Sequence, residues 1–193
     1  MSSMVCYYMA HEMIKAVLTY EAETVQEILS KKYPKWKIIN TKRYRVIATR
    51  PELPLGKSFG FKRGFVYPDV IWVLKSHTHE ITQYVIHEVK TGRYYIWEVA
   101  SKYKGYYLNR ESIKFGKLFL KEVATSTTPL FLWAWKREHE RNLKMVEEMD
   151  LEIKSLRRGG IRLIPIELIL PLVRKRVLDA CEIIGLKIID LPF

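Results

Sequence analysis

A mixed α/β fold is the class this chain predicts, and three observations predict it. Apolar residues recur at helical spacing near the start, two β-branched and aromatic runs form a hairpin in the middle, and helical and strand patterns alternate thereafter. From about Met9 to Lys32, residues Met13, Val17, Val25, Ile28 and Leu29 return every three or four positions, and Pro34 ends the pattern. Lys37 to Thr49 alternates loosely as a first strand, interrupted near Asn40. Arg50 to Gly64 carries two Pro and three Gly among several Lys and Arg, which is loop composition.

The hairpin follows. Tyr67 to Leu74 and Tyr84 to Lys90 are strand-like runs, and the polar Lys75-Ser76-His77-Thr78-His79-Glu80 lies between them. Arg93 to Tyr107 stays open: Tyr95, Trp97 and Val99 alternate as in a strand, but Gly92 and Gly105 bracket the segment. Asn109 to Thr125 reads as a helix and Pro129 to Trp135 as a short buried strand. Lys136 to Arg158 is a charged helix with a stripe of Leu143, Val146, Met149, Ile153 and Leu156, closed by Gly159-Gly160. A strand within Ile161 to Ile169 and a helix opening at Pro171 finish the chain. We expect a single domain over 1–193, with a core of about 9–136 and a C-terminal extension of about 137–193.

Composition narrows the function. With 33 Lys+Arg against 21 Asp+Glu, the net charge of +12 favours a polyanionic partner. No basic amphipathic helix with an aromatic insertion edge stands out, so nucleic acid is preferred to a membrane surface. Cys6 and Cys181 alone build neither a disulfide framework nor a Cys-x-x-Cys zinc site. The first residues lack the pattern of a signal peptide, and the apolar run from Ile161 to Val173 is broken by Arg162, Pro165, Glu167 and Pro171. An intracellular location is expected.

The chemistry concentrates in the hairpin. Glu88 and Lys90 project from one face of their strand while Val89 points the other way. If Asp69 lies at the adjoining strand end, two carboxylates and an ammonium converge there. Such a triplet is costly to bury unless it is paired or binds a metal. Two hard oxygen ligands suit Mg²⁺, which keeps its waters and binds phosphate.

Pro68-Asp69 followed by Glu88-x-Lys90 (88 − 69 = 19 residues on) resembles the PD-(D/E)xK nuclease superfamily, and within it the archaeal and archaeal-virus Holliday junction resolvases. The resemblance covers about residues 9 to 136. It implies a restriction-endonuclease-like αβββαβ core, with a central mixed sheet flanked by helices, followed by a C-terminal helical and strand extension. It also implies a metal-dependent DNA endonuclease acting as a homodimer. Asp69, Glu88 and the Val89 carbonyl would hold Mg²⁺ or Mn²⁺, and Lys90 would orient water or stabilise developing charge. Thr91 stands where such relatives often carry a small hydroxyl residue. Junction resolvases place a metal-associated Glu on their first helix. Glu21, central on the apolar stripe here, is the expected match, and Glu12 competes if the helix packs differently.

A DNA-facing surface is expected along Arg110, Lys114, Lys117 and Lys121, spaced four, three and four apart on one helical stripe. Lys102 and Lys104 among tyrosines, and Lys62 and Arg63 in the Gly-flanked loop, are further candidates. His77 and His79 fall in the hairpin turn, and His87, facing away from Glu88, reads as a packing residue. Two other readings stay open: a non-catalytic basic DNA-binding protein that keeps the nuclease fold, and an exonuclease acting on DNA ends. The second lacks a Gln-x-x-x-Tyr signature on the second helix.

Overall fold

In a computed structural model of the protein, residues 3–54, 67–80, 82–90, 130–134 and 162–185 are described. They form a mixed α/β arrangement. Helices α1 (Ser3–Tyr20) and α2 (Ala22–Lys32) lead into a short 3₁₀ turn at Lys37–Ile39. Strands β1 (Tyr44–Pro51), β2 (Val70–Ser76), β3 (Thr82–Val89), β4 (Leu130–Ala134) and β5 (Arg162–Pro165) follow, and helix α3 (Leu170–Ile183) comes last. The strands lie side by side in chain order. β1, β2 and β3 are antiparallel neighbours, whereas β4 runs parallel to β3 and β5 parallel to β4.

The helical pattern expected from Met9 to Lys32 is divided in two at Glu21. Glu21 adopts φ −114° and ψ 29°, yet its N–H still reaches the Val17 carbonyl and its carbonyl accepts from Val25. The result is a break that these two backbone bonds still span. No Pro or Gly causes it. Thr19 Oγ1 donates back to the Lys15 carbonyl at 2.8 Å, and such a bond four residues back bends a helix. α2 then ends one residue before Tyr33-Pro34, where the sequence predicts an end.

The expected first strand starts late. Lys37–Ile39 winds into the 3₁₀ turn, and Asn40 Oδ1 accepts from the Lys42 N–H at 2.9 Å, turning the chain into β1. Gln26 of α2 holds this entry in place. Its buried amide donates to the carbonyls of Ile39 and Tyr44 and accepts from the Val46 N–H. One side chain thereby satisfies backbone groups at the outer side of β1, where another strand would otherwise pair.

β2 and β3 are buried on both faces. Val70, Trp72, Leu74, Val85 and Val89 pack into the core with Ile14, Leu18, Val25 and Leu29 of the helices and Ile164, Ile166 and Ile169 beyond. Ile71, Tyr84 and Ile86, facing the other way, are buried as well. Double-sided burial explains why these strands read as continuous apolar runs and not as clean alternation. The long helix expected at 136–158, the helix at 109–125 and the ambiguous segment 93–107 lie outside the described residues. α3 has its proline in the first turn, as expected, while only Arg162–Pro165 of the strand expected over Ile161 to Ile169 is extended. No helix among the described residues is long and apolar enough to cross a membrane.

Candidate functional site

Strand pairing positions the three motif residues. Val70 pairs with His87 in the antiparallel β2–β3 ladder, which sets Asp69 level with Glu88 one step beyond the last paired row. Asp69 Oδ2 accepts the Val89 N–H at 2.5 Å, tying the start of β2 to the end of β3. Glu88 is almost fully buried, only 2% exposed, and its Oε1 lies 3.1 Å from Lys90 Nζ. The Lys90 charge also reaches Asp69. Two carboxylates and an ammonium therefore share the end of the hairpin.

The helix side of this site is held by Glu12, the competing carboxylate, together with His11, Lys15 and Glu52, which the sequence did not single out. His11 Nε2 is 3.3 Å from Asp69 Oδ1, and its Nδ1 is 3.0 Å from Glu12 Oε1. Glu12 pairs in turn with Lys15 at 3.0 Å, and Lys15 pairs with Glu52 at 2.5 Å. Glu52, in the left-handed region at φ 51°, donates its N–H to the Asp69 carbonyl at 3.2 Å. The contacts close into a ring that starts and ends at Asp69. A non-glycine residue at positive φ costs about 1–3 kcal/mol and persists where its surroundings enforce it; here the Asp69 carbonyl and Lys15 hold it.

Glu21 takes another partner. Half-buried, it places Oε1 2.6 Å from Arg176 Nε of α3 and not beside Asp69 or Glu88. His11, which does touch Asp69, lies ten residues earlier, about 15 Å along a helix. The buried stripe of α1 is Ala10, Ile14, Val17 and Leu18, and His11 lies at its edge, three and seven residues before Ile14 and Leu18. That spacing of three and seven was the available signal for His11. Of the two competing helix carboxylates, Glu12 is the one joined to Asp69 through a side chain.

The other histidines fall into place by burial. His87 is fully buried on the core face, its ring 4.1 Å from the Trp72 ring, and burial pushes its pKa well below 6.5, so it is neutral. His77 and His79 are exposed in the turn, His77 with Nε2 3.0 Å from the Thr41 carbonyl. Lys62, Arg63, Lys102, Lys104, Arg110, Lys114, Lys117 and Lys121 lie outside the described residues.

Electrostatics at Asp69 reflect a contest. Burial alone would raise its pKa above 3.8, but His11, the Val89 N–H and Lys90 together bring it below. Burial opposes charge on His11 too, yet Asp69 and Glu12 hold its pKa above 6.5. The sign of the pH dependence follows. A raised histidine contributes stability that is complete below pH 6.5 and lost as pH rises through its folded pKa. A lowered aspartate contributes stability present above pH 3.8 and lost as pH falls through its folded pKa. The pair stabilises most between these limits. His11→Ala should therefore lower Tm more at pH 5.5 than at pH 8.5, at about 2–4 °C per kcal/mol lost. Equal losses at both pH values, read by thermal unfolding, would show that the contact does not form.

Among the described residues, no group of three or more His, Cys, Asp or Glu side chains stands together to hold a metal ion. Mg²⁺ asks for less: one or two carboxylates, with water and substrate phosphate completing its shell. Asp69 and Glu88 fit that smaller demand. Comparison of the chain with protein-family models, curated proteins and solved structures finds no match.

Proposed function

We propose that the protein is a metal-dependent DNA endonuclease similar to archaeal Holliday junction resolvases. The observation that carries this reading is the convergence of Asp69, Glu88 and Lys90 at one end of the β2–β3 hairpin. The described order of helix, three antiparallel strands and a fourth strand parallel to β3 supports the αβββαβ core that the reading requires. The net charge of +12 supports a nucleic-acid substrate.

In this reading Asp69, Glu88 and the Val89 carbonyl would hold Mg²⁺ or Mn²⁺, and Glu12, joined to Asp69 through His11, takes the place expected of Glu21. When bound, the ion supplies acidity for the attacking water and offsets charge gathering on the phosphate. Lys90, held by Glu88, presents an N–H donor to that water or to the phosphate oxygens. The low exposure of Glu88 keeps bulk water from screening these charges. Arg110, Lys114, Lys117 and Lys121, with Lys62, Arg63, Lys102 and Lys104, provide the cations that track the DNA backbone. A homodimer, joined through the apolar stripe of 136–158, would present two such sites for symmetric cleavage.

A non-catalytic DNA-binding protein is the second reading, which the net charge of +12 supports equally. Linear, nicked and four-way-junction DNA, each incubated with and without Mg²⁺, separate the two. We expect Mg²⁺-dependent strand cleavage, greatest on the junction. Tight binding without cleavage in either Mg²⁺ or Mn²⁺ would establish the second reading instead.

A further inference from the structure

We propose that His11 is a positioning residue that fixes the orientation of the Asp69 carboxylate for the reaction. The role rests on the nuclease reading of the site and assigns a side chain that the motif does not contain. Asp69 precedes the first paired residue of β2, so the ladder itself does not set the plane of its carboxylate. Two groups from different elements set it instead: the Val89 N–H donates to Oδ2, and the His11 ring places its Nε2 3.3 Å from Oδ1 as an ion pair. One contact on each oxygen, a hydrogen bond on Oδ2 and an ion pair on Oδ1, fixes the carboxylate plane and leaves each oxygen a lone pair for a cation.

The support extends behind His11. Both ring nitrogens face carboxylate oxygens, Nε2 toward Asp69 and Nδ1 toward Glu12, so the ring is gripped at two points and cannot flip without losing both. Glu12 is anchored by Lys15, Lys15 by Glu52, and Glu52 by its N–H on the Asp69 carbonyl. α1, the end of β1 and the start of β2 are thus locked around one carboxylate. Groups that orient a metal-binding carboxylate in this way are worth about 10- to 100-fold in metal affinity or activity when removed.

The test compares His11→Ala with His11→Gln, because the glutamine amide can supply the donor that Nε2 supplies to Asp69 but not the contact with Glu12. Junction cleavage is measured in Mn²⁺, with Mn²⁺ binding followed by titration. His11→Ala should lower kcat and weaken Mn²⁺ binding by about 10- to 100-fold, with KM for DNA unchanged. His11→Gln should recover most of both losses. A His11→Ala enzyme with wild-type kcat overturns the proposal, as does a loss that His11→Gln leaves unrepaired. A second measurement does not depend on catalysis: the ring-nitrogen NMR signals of His11 in wild type and in folded Asp69→Asn should differ. Identical signals overturn the positioning role. Wild-type protein that neither binds Mn²⁺ nor cuts DNA, yet shows the NMR difference, overturns the nuclease reading and leaves the His11–Asp69 contact standing.

Discussion

Asp69→Asn, Glu88→Gln and Lys90→Gln should each reduce Mg²⁺-dependent DNA cleavage by about a thousandfold or more while DNA binding stays near wild type. The expected size follows from charge. A lost contact to charge developing at the reacting phosphate in a dry site costs several kcal/mol, and about 1.4 kcal/mol is a tenfold change in rate. Asn for Asp and Gln for Glu keep the shape while removing the charge, and Gln for Lys keeps an N–H donor on a shorter side chain. This matters most for Glu88 and Lys90, whose 3.1 Å contact is almost wholly removed from water on the carboxylate side. Lys90→Gln and Lys90→Ala both leave the Glu88 carboxylate without its countercharge, which is destabilising, and Lys90→Ala removes the remaining N–H donor as well. A fall in activity would then mix chemistry with folding. Single-turnover cleavage and salt-dependent binding, measured on the same preparations, separate the steps. Cleavage at the wild-type rate by Asp69→Asn or Glu88→Gln would remove that residue from the site.

The legibility of the fold varied with the range of the contact that decides each element. The hairpin was readable because β2 and β3 are apolar, β-branched and joined by a polar turn, all local properties. Its pairing then put Asp69 level with Glu88, as the motif requires. The break at Glu21 was not readable, since neither Pro nor Gly marks it and the only local signal is a threonine hydroxyl that bonds back to the Lys15 carbonyl. The partner of Glu21 was equally hidden. Arg176 lies on the last helix, and nothing in the local sequence ties it to the first. Lys37 to Ile39 has apolar residues that suit a strand, but the Asn40 turn and the Gln26 amide recruit its backbone into a 3₁₀ turn. His11 is illegible in the sequence for a related reason. A histidine on a helix gains meaning at this site only from Asp69, which the fold brings to it from β2.

Trp72→Ala should cost about 3–5 kcal/mol of stability, the range for deleting a large aromatic from a packed core. Trp72 is fully buried in the middle of β2, its ring 4.1 Å from that of His87 and its Nε1 donating to the Leu18 carbonyl at 2.7 Å. Leu18 belongs to the last turn of α1, where carbonyls lack partners further along the helix. The indole therefore fills the space between helix and sheet and satisfies a carbonyl beside the break. Trp72→Phe separates these contributions. It keeps much of the packing but leaves the Leu18 carbonyl without its donor, a loss of about 1–3 kcal/mol. The consequence reaches the site, because Asp69 lies three residues before Trp72 and His11 lies on the helix that the indole fastens to β2. Total stability for a domain is about 5–15 kcal/mol, so Trp72→Ala should bring the protein close to its unfolding threshold and loosen the His11–Asp69 contact. Urea denaturation of the three proteins measures the costs. A loss below about 1 kcal/mol for Trp72→Ala would mean that the indole does not join α1 to the sheet, and that Asp69 is held against the helix by its polar contacts alone.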